Sequence, residues 1–260
     1  MTISYYNGNT YKNRSESNQF AGFLLASAAS SAILSPLVYA GRAVEKHVAK
    51  EQVNTDIYKD ALYKSLEHSG LKEKGVEIIP AQLFQQAYPT EAAARNAFYS
   101  PDSRKIVINT EKMAIAGLHE LGHARNHLKS IAGKVLQKMR LPGYAIAGLM
   151  EYFALFSRTK PKEANKSLTD RIEDNCGLIA FLAMLPIAAE EALASHNGVE
   201  FAKKAGLSKN HIKNLKAFQR KAWLTYGGRA ALGGLAVATS RWIMDKFTRP
   251  KKIETDSFFF

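Results

Sequence analysis

The stretch from Lys112 to Ala124 constrains the fold more than any other part of the chain. It is almost entirely apolar, yet it contains His119, Glu120 and His123 in a His-Glu-x-x-His pattern. Residues four positions apart lie one turn apart on the same face of an α-helix. Two imidazoles in that arrangement can bind one metal ion at about 2.0–2.1 Å. The pattern therefore predicts a helix that carries two zinc ligands.

Glu120 stands between the two histidines, and we predict it to be the catalytic residue of a hydrolytic site. From the same helix its carboxylate can point toward the open position of the metal, where water binds. A carboxylate placed there can take a proton from that water as the water attacks a carbonyl. The pattern thus predicts zinc-dependent hydrolysis, which requires a third protein ligand from elsewhere in the chain.

The net charge of the 260-residue chain is +13, which raises the question of nucleic-acid binding. The sequence has no zinc-knuckle, RNP-like or helix-turn-helix motif, so we expect no nucleic-acid partner. Many basic residues flank apolar segments, which suits contact with anionic lipid headgroups, worth about 1 kcal/mol per residue. A solvated basic surface explains the same charge equally well.

The first part of the chain changes abruptly from polar to apolar. Residues 1–19 are polar and rich in turn formers, so we predict a disordered N-terminus. Residues 20–41 contain no charged residue and are long enough to span a bilayer, which predicts a transmembrane helix. The alternative is a buried or interfacial helix. More basic residues follow the segment than precede it, which favours a cytoplasmic location for the region after it.

Residues 55–206 are predicted to form the domain that carries the metal motif. Gly75 to Pro80 has the composition of a short strand, and Asn96 to Asn109 has the pattern of a hairpin with a turn near Asp102. The sequence therefore predicts an α+β fold, mainly helical, with a small antiparallel sheet beside the motif helix. A strand edge next to a metal helix can bind an extended peptide by main-chain hydrogen bonds.

Further apolar segments follow the motif. Residues 141–157 and 176–189 are predicted to be apolar helices embedded in the domain, each shorter than the roughly 20 residues of a simple span. Spans extended by polar flanks, re-entrant segments and core helices all remain open for these two segments. Residues 207–260 are predicted to form a basic amphipathic and apolar helical region.

Two adjacent carboxylates, Glu190 and Glu191, end the second apolar segment. Carboxylates are costly to bury unless a positive group pairs with them, and a zinc ion would do so. Successive helix residues point about 100° apart, so only one of the two can easily bind the ion. The alternative is that both begin the solvated end of a helix.

Together these motifs resemble the gluzincin metallopeptidases of the group that contains the CAAX prenyl proteases and the membrane protease HtpX. The matching segments are Asn96-Ala97-Phe98, the strand Ile106 to Asn109, the motif His119 to His123 with His127, and Glu191 to Ser195. The resemblance covers residues 55 to 200 and implies a zincin-like core with membrane helices around the zinc site.

The resemblance also implies roles for single residues. It makes Glu191 the third zinc ligand, because Ala194 then falls three residues later as in the family. It places the substrate strand at Asn96, Ala97 and Phe98. Ser195 stands where the family has an aspartate that hydrogen-bonds a zinc-binding histidine, and a serine hydroxyl can accept that bond without adding charge.

These inferences predict a membrane-associated, zinc-dependent endopeptidase with a peptide or protein substrate and membrane lipids as partners. His196 is a further candidate, as a donor to the developing oxyanion, although a plain helix-end histidine fits it as well. The main alternative is a non-catalytic membrane scaffold with a vestigial metal motif. A soluble metallopeptidase whose apolar segments are all core is a third hypothesis.

Overall fold

A computed structural model describes residues 8–80, 83, 97–157 and 167–248, and only the backbone of residues 8–17. The chain is mainly helical, as predicted, with one small sheet. In chain order the described helices are α1 (Gly8–Leu34), α2 (Pro36–Glu51), α3 (Thr55–His68), α4 (Thr110–Lys129), α5 (Ile131–Lys138), α6 (Arg140–Phe156), α7 (Leu168–Asp174), α8 (Cys176–Lys204) and α9 (Lys209–Thr248). The strands are β1 (Glu77–Pro80), β2 (Phe98–Ser100) and β3 (Lys105–Ile108).

The chain divides into two compact units. The sheet-containing unit comprises residues 36–144 and 184–230. The apolar-helix unit comprises residues 1–35, 145–183 and 231–260. All residues of the predicted metal site belong to the sheet-containing unit.

The sheet has the order β1-β3-β2 and is mixed. The predicted hairpin is confirmed, because β2 pairs antiparallel with β3 and Tyr99 lies opposite Ile106. The prediction of an antiparallel sheet is wrong for β1, which pairs in parallel with the other side of β3, with Ile78 opposite Ile106. The long connection between β1 and β3 allows the chain to cross back and run in the same direction.

Helix α4 carries the His-Glu-x-x-His motif through the core of the sheet-containing unit. The Asn109 side chain accepts a hydrogen bond from the Glu111 N–H at 3.2 Å and so caps the helix start. Every residue from Ala114 to Ala124 is buried. The surrounding core is supplied by helix α3, strand β3, and helices α8 and α9, through Tyr58, Leu62, Ile106, Ile108, Phe201, Leu215 and Phe218. A helix buried on all sides is mostly apolar on all sides, and the polar exceptions here are His119, Glu120 and His123.

Two glycines bring the backbones of α4 and α8 into direct contact. A Cβ on Gly122 would lie 2.0 Å from the Ala194 carbonyl oxygen, and one on Gly198 would lie 2.6 Å from the Leu118 carbonyl oxygen. No side chain fits at either position without moving a helix. This approach places the middle of α8 directly over the histidines of α4.

Helix α8 differs from its prediction. It runs from Cys176 to Lys204, whereas the sequence predicted a helix over 176–189. The expectation that Glu190 and Glu191 begin a solvated helix end is wrong, since their exposed fractions are 0% and 1%. Both carboxylates have partners inside the protein, so they do not end the helix.

The other apolar predictions also shift. The predicted helix over 20–41 is divided in two, because α1 ends at Leu34 and α2 begins at Pro36, a residue that suits the first turn of a helix. Helix α1 begins at Gly8, inside the segment predicted to be disordered; residues 1–7 lie outside the described residues. The segment predicted over 141–157 is helix α6, and the predicted C-terminal region is largely one helix, α9.

The apolar-helix unit buries several small residues and a few larger ones, among them Met150 and Met244, and exposes many large apolar side chains. Ala26, Ala154 and Ala180 are buried, and a Cβ on Gly177 would lie 2.7 Å from the Gly234 carbonyl oxygen. Large apolar side chains on α1, α6, α8 and α9 within this unit are exposed: Phe20, Leu24, Leu25, Ile146, Leu149, Tyr152, Phe156, Leu178, Leu182, Leu235 and Trp242. Small residues between helices and large apolar residues outside are typical of helices packed in lipid.

Candidate metal centre

Three ligand atoms converge in the core of the sheet-containing unit. The Nε2 atoms of His119 and His123 are 3.1 Å apart. The Oε2 atom of Glu191 lies 3.1 Å from the first and 3.4 Å from the second. An ion bound tetrahedrally at about 2.0–2.1 Å would hold its ligands about 3.3–3.4 Å apart. The spacing of these three atoms therefore fits a single zinc-sized ion.

The charges around these atoms also fit a divalent cation. Glu120, Glu190 and Glu191 are all buried, and among the described residues the guanidinium of Arg140 is the one bound to this cluster. When both histidines are neutral, as metal binding requires, three ionised carboxylates and one guanidinium leave two negative charges uncompensated. Without a metal, a proton on His123 offsets one of these charges. Burial lowers the pKa of His123, but its hydrogen bonds to Glu190 and Glu191 outweigh that effect and raise the pKa to about 10. The site thus attracts positive charge.

Glu190 orients His123, a role that the sequence did not predict. Its Oε1 atom accepts a hydrogen bond from His123 Nδ1 at 2.9 Å. That bond leaves the lone pair of the neutral imidazole on Nε2, where a metal would bind. The carboxylate is fixed in turn by Asn126 Nδ2 at 2.8 Å and by Gln137 Nε2 at 3.0 Å. The adjacent pair of carboxylates after an apolar run was the signal in the sequence, but it predicted a role for only one of the two residues.

Arg140 contacts one carboxylate oxygen of Glu190 and one of Glu191. One of its guanidinium nitrogens lies 2.8 Å from Glu190 Oε2 and 3.0 Å from Glu191 Oε1. The contact leaves Glu191 Oε2 to face the histidines. Arg140 therefore positions the predicted third ligand for binding through one oxygen.

Ser195 lies beside the other histidine. Its Oγ atom is 3.2 Å from His119 Nδ1, so it can accept the hydrogen bond that the resemblance assigns to an aspartate. The two imidazoles thus have unequal partners, a carboxylate for His123 and a hydroxyl for His119. A hydroxyl orients the imidazole as a carboxylate does, but it adds no negative charge beside the metal ligand.

Glu120 is buried between the histidines and strand β2. Burial raises its pKa, while the nearby His123 and His119 and a hydrogen bond from the Tyr99 backbone oppose the rise. A raised carboxyl pKa suits a group that takes up and returns protons. The contact with Tyr99 places the carboxylate next to the edge strand of the sheet.

The predicted substrate strand is described in part. Ala97 is buried, and Phe98 packs near Ile79 and Val107; Asn96 lies outside the described residues. Strand β2 is at one edge of the sheet, and no other described strand pairs with its outer side. An edge strand beside Glu120 is the arrangement that main-chain binding of a peptide requires.

His196 and His127 lie away from the ligand atoms. His196 is exposed and lines a cavity of about 440 Å³ together with Lys216, Arg220 and Trp223. The structure therefore does not bring His196 to the carboxylates and histidines of the site. His127 Nδ1 instead lies 2.9 Å from the hydroxyl of Tyr99, where it braces strand β2 against α4.

Comparison with known proteins assigns the chain to no family. No protein-family model matches the chain, and neither a curated protein nor a solved structure shows significant similarity to it. The gluzincin relationship and the zincin-like core therefore stay predictions from short motifs. The contacts among His119, His123 and Glu191 support a metal centre.

The close helix contact at Gly122 leads to a first prediction. We expect Gly122→Ala to push α8 away from α4, destabilise the fold by about 2 kcal/mol or more, and release bound zinc. Gly41→Ala is the control, because no atom lies within 4 Å of a Cβ at that position. Thermal unfolding and zinc analysis of both variants provide the measurement. Unchanged zinc content and stability in Gly122→Ala would show that α8 does not approach α4 as described.

Proposed function

We propose that the chain is a membrane-associated, zinc-dependent endopeptidase of gluzincin type. His119, His123 and Glu191 would hold the zinc ion. The observation that carries the proposal is the triangle of His119 Nε2, His123 Nε2 and Glu191 Oε2, with sides of 3.1 to 3.4 Å. His119 and Glu191, which are 72 positions apart in sequence, meet in this buried triangle. The Glu120 carboxylate lies beside it and would act as the base.

A zinc ion bound there would supply a Lewis acid that polarises the scissile carbonyl and acidifies water. Glu120 then takes the proton from the attacking water and passes it to the nitrogen of the leaving amine. Its neighbours support this role, because burial raises the Glu120 pKa and the Tyr99 backbone orients the carboxylate. The outer edge of β2 would hold the substrate as an added strand.

The membrane setting is supported by the apolar-helix unit. Two helical segments, Asn18–His68 and Cys176–Lys204, begin in this unit and continue into the sheet-containing unit. Each contains a window with mean hydropathy 1.7 that is apolar and long enough to cross a membrane. Only 11% of the first window is buried, so most of its apolar surface needs another environment. We place the unit in a bilayer, with the zinc site on the cytoplasmic side as the positive-inside rule favours.

A non-catalytic scaffold is the competing function, and Ser195 is the observation that favours it. A hydroxyl in place of a carboxylate beside a metal-binding histidine lowers the basicity of that ligand. Such a protein would keep the helix packing and a weak metal site without peptide hydrolysis. The two functions differ in what the loaded protein does to a peptide.

A chelation experiment tests the peptidase. Purified full-length chain in lipid nanodiscs is mixed with unstructured peptides, and the products are identified by mass spectrometry. We expect cleavage to stop with a zinc chelator and to return with added zinc, but not with added magnesium, since a site with two imidazoles suits zinc. Zinc-loaded protein that leaves every peptide intact would favour the scaffold.

A further inference from the structure

Helix α5 presents an exposed apolar row. The row consists of Ile131, Val135 and Met139, which are exposed by 86%, 52% and 45%. We call these three residues the outer face of α5, counting Met139, which directly follows the last helical residue. They are four positions apart and so lie along one side of the helix. Leu141, exposed by 78%, extends the apolar surface beyond the end of the helix. No described residue covers this surface.

The charges around the outer face point to an anionic occupant. Lys134 and Lys138 are exposed along one flank of the row. From Leu121 to Met150 the sequence contains no aspartate or glutamate, so nothing local offsets these lysines. An apolar row with flanking lysines is the pattern of a helix that lies in the headgroup layer of a membrane. Each lysine near an anionic surface adds about 1 kcal/mol of attraction.

The opposite face of α5 packs against the residues that support the candidate metal centre. A Cβ on Gly133 would lie 2.6 Å from the Cα of Asn126, so α5 rests directly on α4 at that residue. Gln137 Nε2 donates hydrogen bonds to the His123 carbonyl oxygen at 3.1 Å and to Glu190 Oε1 at 3.0 Å. The inner face therefore supports the carboxylate that orients His123.

The chain directly after α5 adds a second connection. Arg140, two residues beyond the helix end, binds Glu190 at 2.8 Å and Glu191 at 3.0 Å. Any movement of α5 away from α4 would withdraw Gln137 and Arg140 together. Both the ligand Glu191 and the imidazole of His123 would then lose a group that fixes their orientation.

We propose that the outer face of α5 docks on the surface of an anionic bilayer and that this docking stabilises the zinc site through the inner face. This inference rests on the proposed zinc site and adds regulation by the lipid surface. Lipid contact favours the docked position of α5, and only that position keeps Gln137 and Arg140 on the glutamates. Reciprocal coupling then requires that anionic lipid strengthen zinc binding, and we expect this to be seen as slower loss of zinc.

Docking itself is measured with a fluorophore that reports its environment. The single cysteine, Cys176, is buried and is replaced by alanine, and Val135→Cys is labelled in the full-length chain. We expect a blue-shifted emission, quenched by lipid-borne quenchers, in nanodiscs that contain anionic lipid. A label at Val53, which is 88% exposed, is the control and should stay in water. A water-exposed label at position 135 in anionic discs would overturn the proposal. A blue shift that depends on protein concentration rather than lipid would do the same, since a second copy would then cover the face.

Coupling is measured as the rate at which zinc passes to a chelator. We expect wild type to lose zinc about fivefold more slowly in anionic than in zwitterionic nanodiscs. The triple variant Ile131→Ser, Val135→Ser, Met139→Ser should lose zinc at the faster rate in both, whereas Val53→Ser should behave as wild type. All four positions are exposed, so the fold should survive the changes. Equal rates for wild type in both lipids would overturn the coupling. A chain that binds no zinc would contradict the proposed function as well, and the label at position 135 would still report docking.

Discussion

Glu120→Gln is expected to keep its zinc and to lose peptide cleavage by a factor of about 10²–10⁴, the usual contribution of a general base. The amide has almost the same shape as the carboxylate but cannot accept the proton of the attacking water. Because Glu120 is not one of the three proposed ligands, the metal should stay bound. Cleavage rates at saturating peptide and zinc content of the same preparation are the two measurements.

Glu111→Gln is the matched control for this variant. Glu111 lies in the first turn of the same helix and is exposed, with Lys59 as its partner. Cleavage should be unchanged, because this carboxylate is far from the ligand atoms along the helix. Full activity in Glu120→Gln would exclude the proposed base and with it the mechanism.

Glu191→Gln is expected to lose the metal altogether. The variant replaces the charged oxygen that lies 3.1 Å and 3.4 Å from the two imidazole nitrogens with a neutral amide. It also weakens the contact with Arg140, which lies 3.0 Å from the second oxygen. Zinc analysis after gel filtration should find almost none, and cleavage should be absent.

Glu190→Gln tests whether Glu190 binds the metal or orients His123. Glu190 contacts His123 Nδ1 rather than the face toward the metal, so its loss should weaken zinc binding by about 10- to 100-fold without abolishing it. Competition with a chelator of known affinity measures the difference between the variants. If Glu190→Gln lost the metal while Glu191→Gln retained it, the roles of the two glutamates would have to be exchanged.

The sequence predicted the helix that carries the His-Glu-x-x-His motif. The four-residue spacing of His119 and His123 requires only a helix, and the apolar residues around them correctly indicated one. The choice of Glu191 over Glu190 rested on the resemblance, in which an alanine falls three residues after the glutamate, as Ala194 does here. In the structure the Glu191 carboxylate lies beside both imidazoles. Each of these inferences used residues that are close in sequence or a fixed motif.

The contacts that depend on packing were not predictable in the same way. Glu190, Gln137 and Arg140 meet because α5 and α8 both lie against α4, and no local pattern encodes that. Periodicity identified β1 as a strand but gave no information on its partner, so its parallel pairing was missed. The division of the first apolar segment did have a sequence signal, since Pro36 cannot donate a backbone hydrogen bond inside a helix.

The zinc content of the purified full-length chain tests the central claim most directly. Elemental analysis after gel filtration should find about one zinc ion per folded chain, as expected for two histidines, a glutamate and one open position. The double variant His119→Ala, His123→Ala should contain none. Folded wild-type protein that neither contains zinc nor binds it on titration, or a double variant that keeps its zinc, would contradict the account.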